Sequence, residues 1–499
     1  MSSAASRLTM VGSLPRFPRS WSGRDLRGQR ALVLGLGSFG GGVGAARYLC
    51  AEGAEVTITD TSPREALESS LAALEGLPIR YVLGENRPQD VERCDFVVAS
   101  PAVPWTSPVL QEASRRGIPV ESEITLLLRR LEGRTIGITG TNGKSTTTRL
   151  LGQILHKLGK RVRVGGNVGG SLLGEVDSID PDEIVVLELS SFQLEHLGDA
   201  GLGPQVALVT NITPDHLDRH HTMAAYVTAK ARILQRAAIA VLNRSDLHCR
   251  GLARAFLGRV IWYGLEEDAD PGIEGRWLHG ERFAVATPAI LEGLIDLSGM
   301  VLKGPHNRLN LISAAATAEA MGIGFREALL AGFEVPALSQ RLTEIAMIDG
   351  VRFVDDSVST SPPAVIAALS SFDSGIRLLV GGYDKGIDPS PMLIAARDRA
   401  QKIYLYGAVA ARLAGMLDQL NTDRSDAPRQ EVRASLTWEV FTTLDRAFSS
   451  AARESQAGEV ILLSPGFASY DQFRNFKERG ERFLELVRRY AEMRAQRQL

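Results

Sequence analysis

Three cysteines in 499 residues, Cys50, Cys94 and Cys249, are too few and too widely spaced for a disulfide framework or a CxxC motif. They imply a reducing compartment with buried apolar thiols, and the expected location is cytoplasmic. An excess of basic charge is lacking too. A net charge of −2 leaves no global positive surface, so nucleic acid is not an expected partner. No run of about 18 apolar residues occurs, which excludes an expected membrane span. The first 24 residues hold four arginines, several serines and no acid, the composition of a tail or a transit segment. Residues 1–26 are therefore set apart as an N-terminal extension, expected to be disordered.

What remains is ordinary globular composition, 44% hydrophobic and 23% charged, long enough for roughly three domains of about 150 residues each. No internal repeat is present. The chain is organised around residues 139–147, TGTNGKSTT. A strand over 135–138 precedes this run. A helix follows it, with Leu150, Leu151, Ile154, Leu155 and Leu158 on one face and Gly159 as its stop. A strand, a tight Gly-containing loop and a helix opening on Lys-Ser cradle phosphates. Backbone N–H groups from Gly140, Thr141, Asn142 and Gly143 face the anion, Lys144 supplies a cation, and the hydroxyl of Ser145 or Thr146 can ligate magnesium. Strict Gly-x4-Gly-Lys-Ser spacing places Gly where this chain has Ile138, so the flanking strand and helix carry the argument.

Upstream, an apolar strand over 31–34 leads into GLGSFGGGVG. Gly35, Gly37 and Gly40 fit GxGxxG, and Asp60 closes a second strand, where a ribose-binding acid sits in dinucleotide folds. The pattern points to a nucleotide-like ligand without saying which, and a Gly-rich turn that only lets strand and helix pack is the plain alternative. A strand over 96–100 is stopped by Pro101 and Pro104. Downstream, strands over 184–187 and 206–210 deliver Glu188, then Asn211, Asp215 and His216, to the edge that carries the phosphate loop, where magnesium ligands are needed. A helix cap is the ordinary reading of a lone Glu after a strand; the shared edge favours the metal. Pro and Ser near 336–339 break the pattern. Strands over 351–354, 378–380, 403–406 and 460–463 then form a third unit, and its charge-laced helical tail over 471–499 reads as a solvated outer face.

The expected fold class is α/β in three domains: a Rossmann-like N-terminal domain over 27–131, a central P-loop ATPase-type parallel sheet over 132–336, and a C-terminal Rossmann-like α/β domain over 337–499.

Six runs in order, GTNGKST, ELSSFQLE, NITPDHLDRH, YVTAK, GPHNRLN and LLSPGFASYDQFRNFKERG, resemble the Mur ligases, ATP-dependent amide-forming enzymes of peptidoglycan synthesis. The second and last are most similar to the branch that adds glutamate to UDP-N-acetylmuramoyl-L-alanine. The resemblance implies a monomeric enzyme with ATP, Mg2+ at two sites and small-molecule substrates, working through an acyl phosphate. It implies that Lys144 holds the β- and γ-phosphates, that Ser145 or Thr146 with Glu188 holds one magnesium, and that His216 and a carbamylated Lys230 hold a second. Asn307 and Asn310 are implied on the adenine side, and Arg341 and Asp356 as third-domain residues that close over ATP. Asn167 would face the muramoyl part, Asp60 and Thr61 the uridine, and Lys385, Ser469 and Phe476 the incoming glutamate.

Departures accompany the match. The Gly-rich loop is about two residues longer than the usual form around Ser38 and Phe39, and Gln340 stands where His is common. Val358 replaces a lysine common near the amino-acid site, which opens ligation of L-glutamate as an alternative to D-glutamate. An NAD-dependent oxidoreductase, a folylpolyglutamate-type ligase and a non-catalytic binding protein on the same scaffold are the remaining readings.

Overall fold

Three sheets account for the architecture of the computed structural model, which describes residues 25–497 apart from 38–39, 169, 199–200, 271–272, 281, 288–293, 303, 337–339, 373, 385–387 and 423–435. Residues 1–24, Ser38, Phe39, Lys385 and most of the break near 336–339 thus lie outside the described residues. Leu26, assigned from sequence to the extension, is fully buried in the first core.

The first sheet has five parallel strands in the order Ile79–Leu83, Glu55–Asp60, Arg30–Leu34, Phe96–Ala99, Val120–Glu121. Alternating residues of the inner strand feed opposite faces: Ala31 and Val33 join one core, Leu32 and Leu34 the other. Burial on both faces is why this strand reads as an unbroken apolar run. The strand order reverses beside Arg30–Leu34, so the Gly-rich turn after it opens at the crevice where such sheets take ligands.

The central sheet has nine strands. Its parallel part runs Val162–Gly166, Ile184–Glu188, Arg134–Thr139, Val206–Val209, Ile239–Asn243, Arg259–Leu265, Gly275–His279, and two antiparallel strands, Phe283–Thr287 and Ile295–Asp296, extend it. Register decides the site: Ile138 pairs with Glu188 on one side and Thr139 with Val209 on the other. Glu188 and the segment after Val209 therefore emerge beside the phosphate loop. The helix Lys144–Lys157 docks through Leu150, Leu151, Ile154 and Leu155, all fully buried. Each such side chain favours docking by roughly 1.5–3 kcal/mol relative to exposure. Val185 and Leu187 share a core with Val33 and Ile58 of the first sheet, so the two units pack as neighbours.

The third sheet runs Thr343–Ile348, Val351–Asp355, Val460–Gly466, Ile376–Gly381, Ala400–Tyr406, Thr437–Phe441, with only the first strand antiparallel. The C-terminal helix Phe476–Arg497 is not a wholly solvated face. Phe483 and Val487, apolar and four apart on one side of the helix, are buried against the sheet, and Arg479 one turn earlier is buried where it donates to the carbonyls of Phe467 and Ser357. Among the described residues no helix is long and apolar enough to cross a membrane. Cys94 and Cys249 are buried, and burial pushes the Cys94 thiol up to about 12; Cys50 is half-buried.

Candidate active site

The phosphate loop is held from beneath by the segment that follows the neighbouring strand. Asn142 N donates to Asn211 Oδ1 (3.0 Å), Asn211 Nδ2 donates to the Asn142 carbonyl (3.0 Å), and Thr210 Oγ1 donates to the same carbonyl (2.6 Å). Thr141 N donates to Asn211 O at 2.7 Å. A Cβ on Gly140 would overlap Thr210 Oγ1, so only glycine permits this approach. Gly143 adopts φ 84° to start the helix at Lys144, and a Cβ there would lie 2.5 Å from Asn310 Oδ1.

Two lysines converge on this loop. Lys144 Nζ donates to the carbonyls of Gly140 (2.9 Å) and Thr141 (2.8 Å), and Lys230 Nζ donates to Gly140 O at 2.7 Å. Lys230 is buried at 1% exposure over the ring of Tyr226, whose hydroxyl meets Thr141 Oγ1 at 3.1 Å. Burial first, and the Lys144 charge second, hold the Lys230 amine well below the ordinary lysine range. Glu188 is fully buried; Asn167 Nδ2 donates to its Oε1 at 2.8 Å. Glu188 Oε2 and Thr146 Oγ1 are buried without a hydrogen-bond partner. Orphaned oxygens of this kind, a carboxylate and a hydroxyl beside a phosphate loop, fit a hard cation. Among the described residues no group of three or more His, Cys, Asp or Glu could hold a metal, so any magnesium here would rely on phosphate and water oxygens as well.

His216 adopts the left-handed region (φ 52°) at the head of the one-turn helix Leu217–His220. Its ring packs edge-on against Phe192, with Nε2 3.4 Å from Asp215 Oδ2.

A cleft separates the central and third sheets, lined among others by Gly143, Asn310, Arg341 and Asp356. Asn310 Nδ2 donates to the buried Asn307 Oδ1 at 3.2 Å. Asp356 accepts from Ser359 Oγ (2.5 Å), Ser464 Oγ (2.8 Å) and Leu342 N (3.3 Å). Burial nonetheless raises its pKa to about 6, against the lowering by these donors and Arg341. Burial also holds the Arg341 guanidinium below its ordinary value, and it drives His306 down to about 4 with help from Arg341.

Farther out, Asp60 is engaged by its own loop. Oδ2 accepts from Leu36 N (2.8 Å) and Gly37 N (3.1 Å), and Oδ1 from Ser62 N (2.8 Å); Thr61 is exposed beyond it. Ser469 is buried with Oγ unpartnered, and Phe476 begins the last helix. Lys385 lies outside the described residues. The structure thus brings the residues of 140–146, Glu188, Lys230, Asn307, Asn310, Arg341 and Asp356 around one loop and cleft, with Asn167 touching Glu188. It places Asp60, Ser469 and Phe476 elsewhere. Thr210, Tyr226, Tyr263, Asn243 and His306 also shape the site but carry no role in the sequence reading; YVTAK contains Tyr226 and GPHNRLN contains His306, while Thr210 stands just before NITPDH and Asn243 and Tyr263 lie in no quoted run.

Fold and site together define a P-loop nucleotide-binding protein in which a second α/β unit walls the cleft. Residues 138–318 match the Mur ligase middle domain, and residues 29–122 match the MurD-like N-terminal domain of Mur ligases. A protein of Roseiflexus sp. named UDP-N-acetylmuramoylalanine--D-glutamate ligase is 38% identical over 473 residues, covering 93% of this chain and 99% of the relative. One of the same name from Koribacter versatilis is 34% identical, covering 94% and 99%. The crystal structure of MurF ligase from Thermotoga maritima in complex with ADP superposes with a TM-score of 0.56 at 17% identity, covering 96% of this chain and 98% of that one, a likeness of fold. The chain belongs to the Mur ligase family.

Proposed function

We propose that this chain joins D-glutamate to UDP-N-acetylmuramoyl-L-alanine in an ATP-dependent, ADP-forming reaction of peptidoglycan precursor synthesis. The observation that carries the proposal is the end-to-end match to relatives named for that ligation, on a chain whose phosphate loop brings Lys144, Lys230 and Glu188 together. In this reading residues 27–131 take the UDP-linked substrate, 132–336 take ATP and 337–499 take glutamate, and the protein works as a cytoplasmic monomer. ATP phosphorylates the substrate carboxylate, and the glutamate amine displaces phosphate to form the amide.

The chain's own groups divide the work. Amides of Gly140, Thr141, Asn142 and Gly143 and the helix N-terminus receive phosphate oxygens, and Lys144 turns from the loop carbonyls to the β- and γ-phosphates. Asn307 and Asn310 face the adenine side, and Arg341 and Asp356 close the cleft from the third sheet. Asp60, Thr61 and Asn167 line the UDP-substrate path, and Lys385, Ser469 and Phe476 the glutamate path.

Ser145 or Thr146 with Glu188 would hold one magnesium, and His216 with a carbamylated Lys230 a second; when bound, the metal neutralises charge that develops on phosphoryl oxygens. The depressed basicity of Lys230 supports the carbamate, because only an uncharged amine adds CO2, releasing one proton as it forms the carbamate. The oxidoreductase reading is disfavoured because it leaves the phosphate loop, Glu188, His216 and Lys230 without a role.

The test is ATP-dependent phosphate release by the purified protein with UDP-N-acetylmuramoyl-L-alanine, offered D-glutamate and L-glutamate separately. Release with D-glutamate alone is expected. Release with L-glutamate alone would transfer the chain to an epimerase-dependent route and make Val358 the first residue to revert.

A further inference from the structure

Elements of two different sheets meet at Arg219. Its guanidinium donates to three backbone carbonyls of the first unit, Ala102 (2.8 Å), Pro101 (3.1 Å) and Val103 (3.1 Å). It lies 3.5 Å from Glu195 Oε2 and 5.1 Å above the Phe192 ring, both on the central helix Ser191–Leu197. The other oxygen of Glu195 is 3.1 Å from His220 Nδ1, so one carboxylate faces two cationic or protonatable neighbours. Beside this junction Trp105 of the first unit stacks on buried His196 of the second, centroids 4.4 Å apart.

Both partners of this junction lie at working edges. The carbonyls belong to the loop after Phe96–Ala99, at the strand ends where the first sheet opens; Ser100 N donates back to Leu34 O, immediately before the Gly-rich turn. On the other side Arg219 N donates to His216 O within one turn. A planar fork of five donors suits three carbonyls in a row, and a point-charge ammonium does not. Because the acceptors are main chain, the contact fixes the path of the loop whatever its side chains do.

We infer that Arg219 is a positioning residue: by clamping the carbonyls of 101–103 it holds the ligand end of the first sheet against the His216 turn, so that a substrate anchored on the first sheet presents its reacting end to the phosphate loop. This rests on the ligase reading above for the identity of the substrate, though not for the clamp itself.

The experiment compares full-length wild type, Arg219→Lys and Arg219→Ala by two readouts. Amide hydrogen exchange of the ligand-free protein reports the clamp without reference to any substrate. Arg219→Ala is expected to speed exchange across 100–105 by at least tenfold and to leave 139–147 unchanged. Steady-state kinetics report the consequence: KM for UDP-N-acetylmuramoyl-L-alanine rises at least tenfold in Arg219→Ala, KM for ATP stays within twofold, and Arg219→Lys recovers less than half of the loss. Unchanged exchange at 100–105, or equal rises in both KM values, overturns the inference. If wild type turns over no UDP-substrate while the exchange result holds, the ligase reading fails and the clamp stands. Should Arg219→Ala not fold, Glu195→Gln removes the carboxylate beside the guanidinium and is expected to move both readouts in the same direction; no movement there overturns the inference equally.

Discussion

Lys144 and Lys230 donate to the same carbonyl oxygen, that of Gly140, at 2.9 and 2.7 Å. Two ammonium groups sharing one acceptor repel each other, and the more deeply buried one yields its proton more easily. Lys230 is that one: burial first, and the Lys144 charge second, hold its amine well below the ordinary lysine range. Its replacement by alanine is expected to lower kcat at least a hundredfold, about 2.7 kcal/mol in the barrier. A short-chain carboxylate added to Lys230→Ala should restore part of that activity by standing in for the carbamate. Wild-type activity in the variant with no additive would remove the carbamate from the mechanism.

Lys144 behaves differently because it is only half-buried and its three donors can exchange loop carbonyls for phosphate oxygens. Lys144→Ala is expected to cut ATP-dependent phosphate release at least a thousandfold, about 4 kcal/mol. Binding of UDP-N-acetylmuramoyl-L-alanine, followed by calorimetry, should change by less than threefold. Loss of both together would show that the loop had unfolded.

Gly143 couples the loop to the helix Pro305–Ala320 through Asn310. Alanine there must adopt φ 84° and meet Asn310 Oδ1 at 2.5 Å, so Gly143→Ala should cost about 2 kcal/mol from the left-handed backbone and the clash together. Adding Asn310→Ala relieves the clash and should return part of the lost urea midpoint, while ATP affinity stays low. Full stability in Gly143→Ala alone would show that the loop relaxes freely.

Much of this arrangement was legible in the sequence because buried parallel strands write themselves as apolar runs, and 184–187 and 206–210 fall within one residue of the observed strands. The loop at 139–147 was legible despite Ile138, since a Gly before Lys-Ser and an apolar helix face are local features. Less legible were Phe283–Thr287, Ile295–Asp296 and Thr343–Ile348, antiparallel strands at or near sheet edges whose short or mixed patterns resemble loops. Asp60 shows what spacing does not convey: its carboxylate accepts from Leu36, Gly37 and Ser62, contacts fixed by three-dimensional turn geometry. Likewise the Arg219 clamp joins residues more than a hundred positions apart, which no local pattern announces.

Asp356 supplies a pH dependence whose sign follows from its burial. Its carboxyl titrates near 6 in the folded chain against 3.8 in its ordinary state, so between those values the folded protein holds one proton more than the unfolded. Stability from this group is therefore greatest in acid and is lost as pH rises through about 6. Wild type should lose about 1 kcal/mol relative to Asp356→Asn between pH 5 and pH 6, measured as the difference in urea unfolding free energy. Catalysis should run the other way, because the neighbouring Arg341 calls for a carboxylate: kcat of the wild type is expected to fall as pH drops through 6. Asp356→Asn should be slow and flat over the same range. An acid limb that persists in Asp356→Asn would assign it to another group.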